Sequence, residues 1–155
     1  MKKIFKTSLI VLFAALVVIQ FIPANRPANN PPEGYDFFKA NEVPAEIETM
    51  LRNTCYDCHS QETYYPWYAH VAPVSWLLAR DVREGRHHLD FSNWGSLDLM
   101  KQLDALDDIS DEVELGDMPM PIYIPLHPSA RLSDADRDKI VNWADDLAEK
   151  LFDEK

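Results

Sequence analysis

Cys55-Tyr56-Asp57-Cys58-His59 places two thiols one helical turn apart, with an imidazole beside the second. On such a turn each thiol can add to one of the two vinyl groups of a haem. The adjacent imidazole then faces the iron as proximal ligand. The spacing therefore points to one covalent c-type haem, held by Cys55, Cys58 and His59. Only 2 cysteines are present, so a multi-bridge disulfide framework is not open to the chain. Three other readings compete. A structural zinc site needs four ligands, usually as two pairs. His70, His87, His88 and His127 are the remaining histidines, and only the adjacent His87-His88 forms a pair. A thioredoxin-like redox pair expects a βαβ context, which the sequence lacks. A disulfide across this short spacing would be strained.

A second ligand to the iron is expected from Gly116-Asp117-Met118-Pro119-Met120-Pro121. A thioether opposite His raises the potential and suits electron transfer. The flanking prolines stiffen the loop and hold a soft sulfur in place. Met118 is the first choice, because Gly116 just before it permits a tight turn, and Met120 is the second. The alternative is that both methionines fill gaps in a core. His70 and His127 are further axial alternatives, although His127 between Leu126 and Pro128 reads better as a brace of the loop.

The elements that must position these groups read as helices, with no stretch alternating as a strand. Pro44 can open a first helix, whose Ile47, Met50, Leu51 and Thr54 share one face and lead into Cys55. Pro73 opens a second, with Val74, Leu77, Leu78 and Val82 as its apolar stripe and Gly85 as its stop. Ser96 can cap a third that carries Leu99, Leu103 and Leu106, followed by a short turn over residues 111–115. Residues 118–128 hold four prolines and must be loop. Ser133 and Asp136 resemble a capping box for a last helix over residues 134–150. Its Ile140, Trp143, Ala144, Leu147 and Leu151 fall on one face. The expected fold is all-α, a small monohaem cytochrome c-like domain.

Charge and hydropathy divide the chain. Lys2, Lys3, Lys6 and Arg26 are the only charged residues among the first thirty, and all 26 Asp and Glu follow. Residues 1–22 read as a signal-anchor or signal peptide, with a basic start and an apolar run over 7–22. No A-x-A-like site follows, which favours an uncleaved anchor. No cysteine follows either, which excludes a lipoprotein anchor. Residues 23–35 read as a Pro/Asn-rich spacer, and 36–155 as the folded domain, placed outside the cytoplasm. The expected location is the inner membrane with the domain facing the periplasm, or the periplasm itself after cleavage. The acidic remainder repels nucleic acid and suits a redox partner with a basic docking patch.

Several segments carry a resemblance to a known family. Residues 55–60, Tyr65-Pro66-Trp67-Tyr68, Ala72-Pro73-Val74-Ser75-Trp76, Glu84-Gly85-Arg86, Asn93 with its neighbours, Gly116-Asp117-Met118-Pro119 and His127-Pro128 resemble the bacterial haem-binding domain family with a C-x-x-C-H motif. The resemblance spans about residues 43–143. It implies haem binding and a short N-terminal anchor, and no particular reaction.

Other residues have two readings each. Trp67, Tyr68, Trp76 and Trp94 can wall a haem pocket or pack a core. Arg80, Arg83 and Arg86 can meet haem propionates or form a solvated helix face. The expected function is a membrane-tethered electron carrier with His59 and Met118 on the iron. The alternative is a haem-based sensor with an open sixth site. No enzymatic activity is expected, because a small peroxidase would want a distal acid–base group that nothing in the sequence specifies.

Overall fold

The apolar N-terminal segment folds as α1, Lys2–Val18, and continues as a tighter turn over Ile19–Phe21. Lys2–Phe21 is long and apolar enough to cross a membrane, and none of α1 is buried against the rest of the chain. The computed structural model describes residues 2–154 and contains no strand among them.

The domain is built from α2 (Phe37–Ala40), α3 (Ala45–Thr54), α4 (Tyr56–His59), α5 (Val74–His88), α6 (Leu99–Leu115) and α7 (Asp134–Asp153). Short 3-10 turns over Trp67–His70, Phe91–Ser96, Ile124–Leu126 and Pro128–Ala130 connect them. Helices α6 and α7 form the most extensive pair. Leu106, Ile109 and Val113 of α6 meet Ile140, Ala144 and Leu147 of α7, and Ile47 and Leu51 of α3 close the same core. The capping box of α7 is present, with reciprocal bonds between Ser133 and Asp136.

A second part of the core is aromatic. Phe37 meets Phe91, Trp94 and Trp143 edge-on. Tyr56 stacks between Phe38 and Phe91. Edge-to-face and offset pairs of this kind add about 0.5–1.5 kcal/mol beyond the area they bury. Tyr56 lies between the two cysteines, so its burial anchors the motif's turn to the core.

Four expectations are corrected. Gly85 does not stop the second helix, which runs on to His88. Gly85 is there because α4 leaves no room: a Cβ would lie 2.7 Å from the Cys58 carbonyl oxygen. The buried face of α5 is Ser75, Ala79, Val82 and Gly85, small residues that permit this approach, while Val74 and Leu77 are exposed. The third helix is capped by Asp98, whose side chain accepts from Lys101 N–H, and not by Ser96. Residues 111–115 are its last turn, closed by Gly116 in the left-handed region at φ 80°.

The stretch 23–35 is extended but is hydrogen-bonded along the domain. Asn29 donates to the Thr63 carbonyl and accepts from its N–H. Arg26 donates to the Ala69 carbonyl and lies over the Tyr65 ring. Tyr65 donates to the Pro27 carbonyl at 2.6 Å. Arg86, half-buried on α5, donates to the Ala28 carbonyl, Asn29 Oδ1, Thr63 Oγ1 and the Ser60 carbonyl. Arg86 is thus a tie between segments, not part of a solvated face.

Candidate functional site

Helix α3 ends where the motif begins. Cys55 caps α3 and starts α4, with its carbonyl accepting from Cys58 N–H at 3.1 Å and His59 N–H at 2.8 Å. This turn sets both thiols and the imidazole on the side away from buried Tyr56. Both cysteines are free thiols. Burial pushes the Cys55 thiol up to about 11 from 9.0. Burial, with the carboxylates of Asp57 and Asp81 behind it, pushes Cys58 up to about 12. Both sulfurs are therefore S–H at neutral pH, the form that adds across a vinyl double bond.

His59 Nδ1 lies 3.2 Å from the Leu89 carbonyl. A carbonyl oxygen only accepts, so Nδ1 carries the proton and Nε2 keeps its lone pair. Burial lowers the His59 pKa, which favours the neutral ring a metal requires.

Cys55, Cys58 and His59 open into one cleft of about 710 Å³. Its far wall contains Met118, Pro119 and Met120, and α6 supplies Ile109 and Val113. The volume is in the range of pockets that hold drug-sized ligands and cofactors, about 300–1,000 Å³. The sequence-predicted methionines and the sequence-predicted proximal group thus face one space. Gly116 positions Met118 by turning the chain at the end of α6, where Met118 N–H donates to the Glu112 carbonyl at 3.0 Å. Arg137 of α7 then donates to the carbonyls of Val113 and Met118, both at 2.8 Å. Arg137 carries no motif, and nothing in the sequence marks it as the clamp of this loop.

The donor set is two thiols, a neutral imidazole with a free Nε2, and two thioethers, all lining one cleft. This set fits a haem. A model of the haem-binding domain family matches residues 14–146. The chain belongs to that family. No curated protein and no solved structure matches it.

Other predicted residues lie elsewhere. Both ring nitrogens of His127 are engaged, one with the Tyr123 carbonyl and one with the Tyr68 hydroxyl. His127 is therefore a brace with no lone pair left for iron. His70 accepts from Arg26 at the surface, away from the cleft. Trp94 is buried in the aromatic core, Trp67 is exposed, and Trp76 donates to the Ile22 carbonyl. Tyr68 lines a second, smaller cavity of about 240 Å³. Of the three arginines on α5, only Arg80 borders the cleft. Exposed His88 borders it too. Asp81, Glu84, Asp108 and Glu112 complete that border with carboxylates. Among the described residues no three His, Cys, Asp or Glu side chains converge as a metal cluster. Nothing in the geometry favours the zinc reading.

Proposed function

We propose that this haem-binding domain holds a single haem covalently as a c-type centre and serves as a membrane-tethered, extracytoplasmic electron carrier. The observation that carries the reading is the single cleft that joins Cys55, Cys58 and His59 to Met118 and Met120. Cys55 and Cys58 would hold the haem as thioethers, each thiol adding its sulfur to one vinyl carbon and its proton to the other. His59 Nε2 is the proximal donor, oriented by the Leu89 carbonyl. Met118 is the distal donor, oriented by Gly116 and Arg137. The haem supplies a reversible one-electron couple. Thioether ligation would favour the reduced form, as would the apolar part of the wall, Leu89, Ile109 and Val113. Export of the domain is the orientation favoured by Lys2, Lys3 and Lys6, which lie in the first turns of α1.

The test is spectroscopic. The full chain is matured with a cytochrome c maturation system and extracted with acidified organic solvent. Haem that stays with the protein is expected, and haem that extracts overturns covalent attachment. In the ferric near-infrared spectrum, a sulfur-to-iron band is expected in the parent. It should be lost in Met118→Ala and kept in Met120→Ala. If the parent has no such band and binds carbon monoxide without displacing a ligand, the sensor with an open sixth site replaces the carrier.

A further inference from the structure

In a chain where 26% of residues are charged, residues 64–79 and 118–130 contain no Asp, Glu, Lys or Arg. The fold brings these two segments together. Tyr68 of the first donates to His127 of the second at 2.8 Å, and both line the smaller cavity. Around its mouth the apolar side chains point into solvent: Tyr64 is 76% exposed, Trp67 78%, Ile122 66% and Leu126 63%. Val71 and Val74 extend the same exposed set. An exposed apolar patch of this kind marks an interaction surface.

What it faces is indicated by the end of the apolar N-terminal helix. Gln20 makes a reciprocal pair with Ala72, accepting from its N–H at 2.9 Å and donating to its carbonyl at 3.0 Å. Trp76 N–H donates to the Ile22 carbonyl. Asp57 and Asp81 line the cavity, Asp57 accepting from Tyr64 N–H and the Tyr123 hydroxyl, and the apolar rim around them is fastened at the point where the apolar helix ends. Exposed Phe21 and Ile22 continue it. Trp and Tyr concentrate where bilayers meet water, with the ring in the headgroup layer. Charged residues are expelled from that layer's apolar side.

We infer that this face rests on the bilayer, with Trp67, Ile122 and Leu126 seated in the interface of neutral phospholipid beside the anchor. The inference rests on the reading of α1 as a spanning anchor. It adds a second, monotopic contact, which orients the haem cleft relative to the membrane.

The test uses the full chain in phosphatidylcholine vesicles. A photoreactive benzophenone amino acid is placed singly at Leu12, Trp67, Ile122, Asp104 or Asp146, with helix content unchanged by circular dichroism. Lipid adducts are expected at 12, 67 and 122 and not at 104 or 146. Adducts at 12 with none at 67 and 122 overturn the seated face and leave the anchor standing. Adducts at 67 and 122 with none at 12 overturn the anchor and keep the face. Equal adducts at every position, or protein crosslinks in place of lipid ones at 67 and 122, also overturn the inference. Ile122→Glu with Leu126→Glu is expected to cut the Trp67 adduct several-fold, and an unchanged yield counts against it.

Discussion

The C-x-x-C-H turn works because of a residue far from it in sequence. Gly85 lets α5 approach so closely that a Cβ would sit 2.7 Å from the Cys58 carbonyl oxygen and 3.2 Å from its Cβ. Neither neighbour is the far end of a flexible side chain: one is backbone and the other the Cβ of Cys58. Gly85→Ala therefore has to push α4 away from α5. Overpacking of this kind costs about 1–3 kcal/mol. Thermal unfolding of the matured chain should show a lower Tm, with less haem attached per chain, and an unchanged Tm would contradict the close approach. The thiols give a second prediction, for the chain before attachment. Their folded pKa values lie above the ordinary 9.0. A group with a raised folded pKa contributes stability that is present below the unfolded value and lost as pH rises through the folded one. The haem-free chain should therefore lose stability progressively between about pH 9 and pH 12, over which these thiols titrate. Denaturant titrations at stepped pH measure this. Cys55→Ala with Cys58→Ala, and thioether formation itself, should both flatten that slope.

At the scale of elements, the extended strap of residues 23–35 and α5 act together. Arg86 makes four hydrogen bonds, two of them to residues 28 and 29, and its fork geometry is what lets one side chain reach all four acceptors. Arg86→Ala leaves Asn29 held only by its pair with Thr63. Limited proteolysis should then cut within residues 23–32 several-fold faster, with α5 itself intact. Arg86→Lys should rescue little, since a single ammonium cannot span the set. The sequence held much of this fold in plain view. The motif, the Met-Pro loop, α3 and the capping box of α7 are local signals, read from spacing within one turn or one loop. What it hid depends on partners distant in the chain. Gly85 looks like a stop because glycine ends helices, and only the position of Cys58 shows why it stays inside one. Val74 and Leu77 look like core because they repeat at helical spacing, but the core side of α5 had to be small. The ties made by Arg86 and Arg137 are hidden in the sequence, since four of their six acceptors are backbone carbonyls, which no pattern of side chains announces, and the other two lie far off in the chain. The strap reads as a spacer for the same reason.

Across the whole molecule, charge separates two surfaces. The two segments of the apolar face carry no charged residue of their own, with Asp57 and Asp81 the only carboxylates lining their cavity, while the border of the cleft carries Asp81, Glu84, Asp108 and Glu112 against Arg80 and His88. The formal net charge is −11, and the basic residues of the first thirty positions lie in or beside the anchor. A domain seated by its neutral face would thus present the carboxylate-rimmed cleft to partners in the aqueous phase. On the proposed carrier function, electron transfer through that rim would be steered by long-range attraction to a basic partner. Such attraction is screened over about 8 Å at physiological ionic strength. The association rate with a cationic redox protein should fall steeply between low and high salt, by roughly tenfold or more. Asp108→Asn with Glu112→Gln should lower that rate several-fold at low salt and leave it unchanged at high salt, because only the steering is removed. Asp104→Asn, a carboxylate of α6 that does not border the cleft, should have a smaller effect per charge removed at low salt and none at high salt. Stopped-flow oxidation of the reduced, matured chain measures all three. Equal effects from Asp104→Asn and the rim pair would mean that net charge alone, not the cleft border, guides the partner.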